Sequence, residues 1–115
     1  MKLLFLCSMN LMRSPTAEEL FHGVNGVECQ SAGLRRKAEV FVTPEMIAWA
    51  DIIFVMEEDH RAMLNKMARS LVKNKRVVVL NIPDHFCRNH PKLIDMLWER
   101  VPLSVDQLKG QRPGG

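Results

Sequence analysis

The sequence predicts an α/β fold: a three-layer α/β/α sandwich on a four-stranded parallel sheet. Three observations predict it. Short apolar runs without polar alternation recur at residues 3–6, 52–56 and 77–79, as in strands buried on both faces of a parallel sheet. Two helix-opening pairs, Ser14-Pro15 and Thr43-Pro44, stand between such runs, because serine or threonine caps a helix and proline suits its first position. Strands and helices alternate along the chain, which implies right-handed crossovers and helices on both faces.

In order, residues 3–6 form the first strand. The Ser14-Pro15 pair opens a helix in which Ala17, Leu20, Phe21 and Val24 recur at helical spacing. Residues 27–31 form the second strand, with Ala32-Gly33 as its exit, and Thr43-Pro44 opens a short helix through Met46, Ile47 and Trp49. Residues 52–56 are the third strand. Residues 61–71 form a helix with Met63, Leu64, Met67 and Leu71 on one face, and residues 76–80 the fourth strand. A loop over 81–91 precedes a last helix from Pro91 through Leu93, Ile94, Leu97 and Trp98. The methionines at 46, 56, 63 and 67 and Trp49 are expected to pack the core and helices, and Cys29 to be a buried strand residue. Residues 1–108 are expected to make one domain, and the Gly- and Pro-containing residues 109–115 a disordered tail.

With 115 residues, 47% of them apolar, the chain can bury one core. Sixteen basic against 13 acidic residues give a formal charge of +3, a mild excess that gives no support to a nucleic-acid partner. Lys2 precedes an apolar run that stops at Cys7, too short for the roughly 7–15 residues of a secretory core. No stretch approaches the roughly 18 residues that span a bilayer, so no membrane partner is expected. Three irregularly spaced cysteines fit a reduced, cytoplasmic compartment in which free thiols are available for chemistry.

The chemistry is expected in Cys7-Ser8-Met9-Asn10-Leu11-Met12-Arg13-Ser14-Pro15. A loop after the first strand of such a sheet lies where ligands bind, beyond the carboxyl ends of the strands. Running into a helix N-terminus, it directs backbone N–H groups inward and, with the helix dipole, makes an anion site. The same field favours thiolate over thiol, which makes Cys7 a candidate nucleophile. Arg13 is suited to grip two phosphoryl oxygens at once, Asn10 tolerates a left-handed backbone, and Ser14 reads both as a helix cap and as a donor to the sulfur. The candidate phosphate-binding set is therefore Ser8, Met9, Asn10, Leu11, Met12, Arg13 and Ser14.

These residues resemble the signature of the low-molecular-weight protein tyrosine phosphatases, in a short bacterial-type variant: a cysteine, five residues, then arginine-serine at the end of the first strand. Arg13-Ser14-Pro15-Thr16-Ala17-Glu18, Ser31-Ala32-Gly33 and Ala50-Asp51 before the third strand are similar to the same family. The resemblance implies hydrolysis of phosphate monoesters through a phosphocysteine. A phosphotyrosine-containing protein or a small aryl phosphate would be the substrate, and no metal or cofactor is required. It also implies a catalytic aspartate in a late loop, where Ile82-Pro83-Asp84-His85-Phe86 places Asp84 as general acid. His85 stands where the family has proline; His85 and Asp51 are the next acids to consider. The stretch between Gly33 and Thr43, which in the family helps wall the substrate ring, is short. Met12 replaces a frequent second cysteine, and with no tyrosine in the chain, regulation by phosphorylation in the late loop cannot operate.

Other readings remain open. A thiol-dependent arsenate reductase would use the same loop with Cys29 or Cys87 as resolving thiols. A sugar-transport phosphocarrier would lack Arg13, and a phosphate-binding regulatory module would keep the loop without turnover. His85, Cys87 and His90 make a poor zinc set without a fourth ligand. Arg35-Arg36-Lys37 reads as a solvated basic run that, beside the site, would attract acidic substrates.

Overall fold

The computed structural model describes residues 1–114. Four strands, β1 (Lys2–Cys7), β2 (Glu28–Gly33), β3 (Ile52–Val55) and β4 (Arg76–Val79), alternate with helices α1 (Arg13–Phe21), α2 (Pro44–Trp49), α3 (Glu58–Val72) and α4 (Pro91–Arg100). The strands pair in the order β2-β1-β3-β4, all parallel. Strand order reverses at β1, so the crevice beyond its carboxyl end is the ligand position of such a sheet. Cys7 stands at that end.

Side chains alternate across β1 and sort the core into two layers. Leu3, Phe5 and Cys7 face Phe21 of α1 and Leu93, Leu97 and Trp98 of α4. Leu4 and Leu6 face Ile47 of α2 and Leu64, Ala68 and Val72 of α3. Phe5 stacks on Phe21 and Phe54, and Phe21 meets the edge of Trp98. The predicted three-layer sandwich is therefore the observed one.

Local differences have physical causes. The cap of α1 falls on Met12, not Ser14, because the Ser14 hydroxyl is turned to the Cys7 sulfur instead of the helix backbone. At Thr43 the expected cap forms, its Oγ1 accepting from the Met46 N–H at 3.2 Å. α3 starts earlier than expected, at a capping box in which Glu57 and His60 close on each other's backbone. Its buried face is His60, Leu64, Ala68 and Val72, at strict four-residue spacing, so Met67 and Leu71 are exposed rather than packed. A polar histidine opening the buried stripe hid that phase. After α4 the chain adds two 3-10 turns, Val101–Ser104 and Asp106–Leu108, which carry Val101 and Leu108 into the core. In the tail, Arg112 pairs with Asp95 and the Gln111 N–H meets the Leu108 carbonyl; residue 115 lies outside the described residues.

The segment after β2 returns at once to the sheet. Val40 accepts from the Gly33 N–H at 2.7 Å, and the Val42 N–H donates back to Gly33 at 3.0 Å. A Cβ on Gly33 would lie 2.4 Å from the Ala38 Cβ and 2.6 Å from the Ser8 carbonyl oxygen, so only glycine lets this segment approach the loop after β1. Gly33→Ala is expected to cost about 1–3 kcal/mol, the scale of overpacking, as read by the midpoint of denaturant unfolding. An unchanged midpoint would show that the contact is loose.

Candidate active site

Residues 8–12 turn tightly between β1 and α1. The carbonyls of Cys7, Ser8 and Met9 point away from the loop centre, accepting from the N–H groups of Leu34 (2.9 Å), Arg35 (3.1 Å) and Glu39 (3.0 Å). In a planar trans peptide the N–H points opposite to its carbonyl, so the N–H groups of Ser8, Met9 and Asn10 face inward. That of Asn10 reaches the Cys7 Sγ at 3.3 Å. The first turn of α1 adds N–H groups that no helix can pair internally. Asn10 has φ 57°, the left-handed turn its residue type was expected to allow.

A buried polar chain fixes the sulfur. The Asn10 Nδ2 donates to Ser14 Oγ and to Ser31 Oγ, both at 2.9 Å, and Ser31 donates to Glu18 Oε1 at 2.6 Å. Ser14 Oγ thus accepts from an amide that can only donate, which frees its own proton for Cys7 Sγ at 2.9 Å. The alternative acceptor, the Ala32 carbonyl, is at 3.4 Å. Ser14 is therefore a sulfur donor rather than a helix cap.

Arg13 is buried. Its Nη1 donates to Glu57 Oε2 and to the Ile82 carbonyl, each at 2.7 Å, which commits both N–H groups of that nitrogen. The Nε–Nη2 edge remains for paired donation to oxygen. Asp84 Oδ1 lies 3.8 Å from Nε, along the same edge. Cys7, Arg13 and Asp84 line one cavity of about 230 Å³ with Ser8, Met9, Leu11 and Met12, so the structure brings the three expected catalytic residues together. Leu11 and Met12 are exposed at its rim.

The sequence reading missed Glu57 and His60. Both sit in an acidic stretch after β3 that reads as a solvated helix start; the one clue was a histidine three residues after Glu57. His60 is buried, accepts the Glu57 N–H on Nδ1 at 3.1 Å, and meets Ser8 Oγ through Nε2 at 2.9 Å. Burial, with Arg13 beside it, pushes its pKa below the ordinary value. Glu57, Asp59 and His60 come within 4.8 Å of one another. Glu57 and His60 already have protein partners, so this cluster does not offer a ready set of metal ligands.

The other candidates lie apart. Asp51 accepts the Lys2 N–H at 2.8 Å, at the opposite end of β1 from Cys7, some ~16 Å away at a strand's rise; it is no acid for this site. His90 caps α4, accepting the Lys92 N–H on Nδ1 at 3.1 Å. Cys87 is exposed, and its neighbour Phe86 packs beside the His90 ring. Cys29 is buried, and burial together with Glu18 raises its thiol to about 12. Arg35 abuts the loop through its own backbone, while Arg36 and Lys37 are exposed.

Residues 2–50 match the family described as low molecular weight phosphotyrosine protein phosphatase. The chain carries the phosphate loop and the fold of the low-molecular-weight phosphatases. The matched residues span the loop from Cys7 to Arg13 and the first two strands. Among solved structures, the YwlE arginine phosphatase, as a C7S mutant with a phosphorylated active-site serine, has a TM-score of 0.73 at 23% identity, covering 97% of this chain and 98% of that one. The YwlE arginine phosphatase from Geobacillus stearothermophilus gives 0.68 at 22% identity, with 96% and 97% covered. The tyrosine phosphatase Wzb from Escherichia coli K30, in complex with phosphate, gives 0.69 at 18% identity, with 84% and 89% covered. No curated protein sequence is significantly similar to the chain. Among the described residues no helix is long and apolar enough to cross a membrane.

The three thiols of the chain differ sharply in setting. In the folded protein iodoacetamide is expected to modify Cys87 and Cys7, with inorganic phosphate slowing only Cys7, while Cys29 reacts only after unfolding. Peptide mapping of the alkylated protein checks this, and early labelling of Cys29 would contradict the burial described.

Proposed function

We propose that the protein is a cysteine-dependent phosphatase that hydrolyses aryl phosphate monoesters, with phosphotyrosine in a protein as the substrate, through a phosphocysteine on Cys7. The observation that carries the reading is the shared cavity of Cys7, Arg13 and Asp84 under an apolar rim of Met9, Leu11 and Met12. Thioether and aliphatic groups pack well on an aromatic ring. The YwlE structures are named arginine phosphatases; a phosphorylated guanidine in this cavity would lie against that apolar rim, with Asp84 as the one carboxylate lining it.

In the first step the Cys7 thiolate attacks phosphorus and the bond to the leaving oxygen breaks. The inward N–H groups and the Nε–Nη2 edge of Arg13 hold the phosphoryl oxygens through the transition state. Asp84, exposed at the cavity mouth and reaching the Arg13 edge, gives its proton to the leaving phenolate. In the second step water attacks the phosphocysteine, Asp84 takes the water's proton, and the sulfur leaves as a thiolate received by the Ser14 hydroxyl and Asn10 N–H. No step requires a metal. Three unpaired cysteines fit a reducing compartment, and we assign the protein to the cytoplasm on that ground.

Turnover of an aryl phosphate by the purified protein tests the reading against a binding module without turnover. Cys7→Ser is expected to be inactive yet to retain inorganic phosphate affinity, and Arg13→Lys to fail because an ammonium lacks the paired edge. Loss of activity to a chelator, with recovery on adding divalent metal, would overturn the mechanism.

Asp84→Asn is expected to slow attack on phenyl phosphate by about 100-fold or more, and far less with an acidic nitrophenol as leaving group. Rate plotted against leaving-group pKa should be nearly flat for the wild type and steep for the variant. Equal slopes would remove Asp84 from the mechanism and leave His85 as the acid to test.

A further inference from the structure

We propose that His60 is a positioning residue of this site: it turns the Ser8 hydroxyl so that its proton points at a phosphoryl oxygen bound in the loop. The inference rests on the anion-binding part of the proposed function and extends it to a side chain on another element.

Hydrogen-bond direction carries the argument. His60 Nδ1 faces a backbone N–H, that of Glu57, at 3.1 Å, and an N–H cannot accept. Nδ1 is therefore the bare nitrogen of a neutral imidazole and Nε2 carries the proton. Nε2 lies 2.9 Å from Ser8 Oγ, so the ring donates and the hydroxyl accepts. The Ser8 proton must then go elsewhere, and Ser8 lines the cavity of Cys7 and Arg13.

Burial of the ring supports the neutral form. Arg13 from α1 and Arg35 from the segment after β2 oppose its protonation, while Glu57 and Asp59 at the start of α3 favour it; desolvation is the largest influence and the net direction is down. The ring is thus unprotonated near neutrality. The same histidine closes the capping box with Glu57, whose carboxylate holds Arg13. One side chain therefore ties both the serine and the arginine side of the phosphate site to the start of α3.

The test is the affinity for inorganic phosphate, measured by titration calorimetry on the full chain, for the wild type, Ser8→Ala, His60→Asn, His60→Gln and the Ser8→Ala/His60→Asn double variant. Asparagine keeps an acceptor near the Nδ1 position but cannot reach Ser8, whereas glutamine places a donor near the Nε2 position. Ser8→Ala and His60→Asn are each expected to weaken phosphate binding about tenfold, the scale of one hydrogen bond to a charged group. The double variant should be no weaker than the singles by more than about twofold, since the histidine acts through the serine. His60→Gln should stay within about threefold of the wild type. In the event that His60→Asn unfolds, nitrogen NMR of the wild-type ring reads the tautomer directly, and a proton on Nδ1 would overturn the proposal. Unchanged affinity in Ser8→Ala, additive losses in the double variant, or a wild type that binds no phosphate would overturn it too. Turnover of aryl phosphate with flat affinities would sink this inference alone. The expected affinity pattern without turnover would sink the hydrolysis reading and leave the Ser8–His60 pair standing.

Discussion

A short stretch of backbone that turns its carbonyls outward is the constraint on which the site depends. Amides can converge on one point only if the carbonyls on the other side of the same peptides have partners of their own. Here the N–H groups of Leu34, Arg35 and Glu39 supply them, which is why the segment after β2 must lie against the loop and why Gly33 stands at their contact. The left-handed turn at Asn10 reverses the chain so that α1 can begin beside the sulfur. The short stretch between Gly33 and Thr43, which the family resemblance implies to be a substrate wall, is thus the outer support of the phosphate loop.

Electrostatics adds a second demand. A buried guanidinium is costly unless paired, and Arg13 is held by Glu57 and the Ile82 carbonyl on one nitrogen, which fixes the direction of the remaining edge. The pairing draws the start of α1, the start of α3 and the chain after β4 into one cluster. A carboxylate that looks like helix-start charge in the sequence therefore aims the oxygen clamp, and Asp84, from the late loop, comes to the same edge.

How much of this was legible depended on whether a feature was local. The alternation of strands and helices, the loop from Cys7 to Arg13 and the left-handed tolerance of Asn10 lie within a few residues of one another, and the structure has them as read. The dual role of Ser14 was resolved only by the amide of Asn10 and the hydroxyl of Ser31, which lie on different elements. Glu57 and His60 were invisible because their partners, Arg13 and Ser8, are far away along the chain. The face of α3 was misphased because exposed Met67 and Leu71 outweigh Ala68 on any hydrophobic count, although only Ala68 is buried. Asp51 was a misplaced candidate: it precedes β3, at the amino end of a parallel sheet whose ligands bind beyond the carboxyl ends, and its bond to Lys2 fixes it there.

The central claim is a covalent bond between phosphorus and the Cys7 sulfur. It is tested most directly by mixing the protein with an aryl phosphate, denaturing it within milliseconds, and locating any added mass by peptide mapping. A single phosphoryl group on Cys7, appearing with the first burst of phenol and decaying as phosphate is released, is the result the account requires. Phenol release with no adduct, or with the phosphoryl group on another residue, would contradict it.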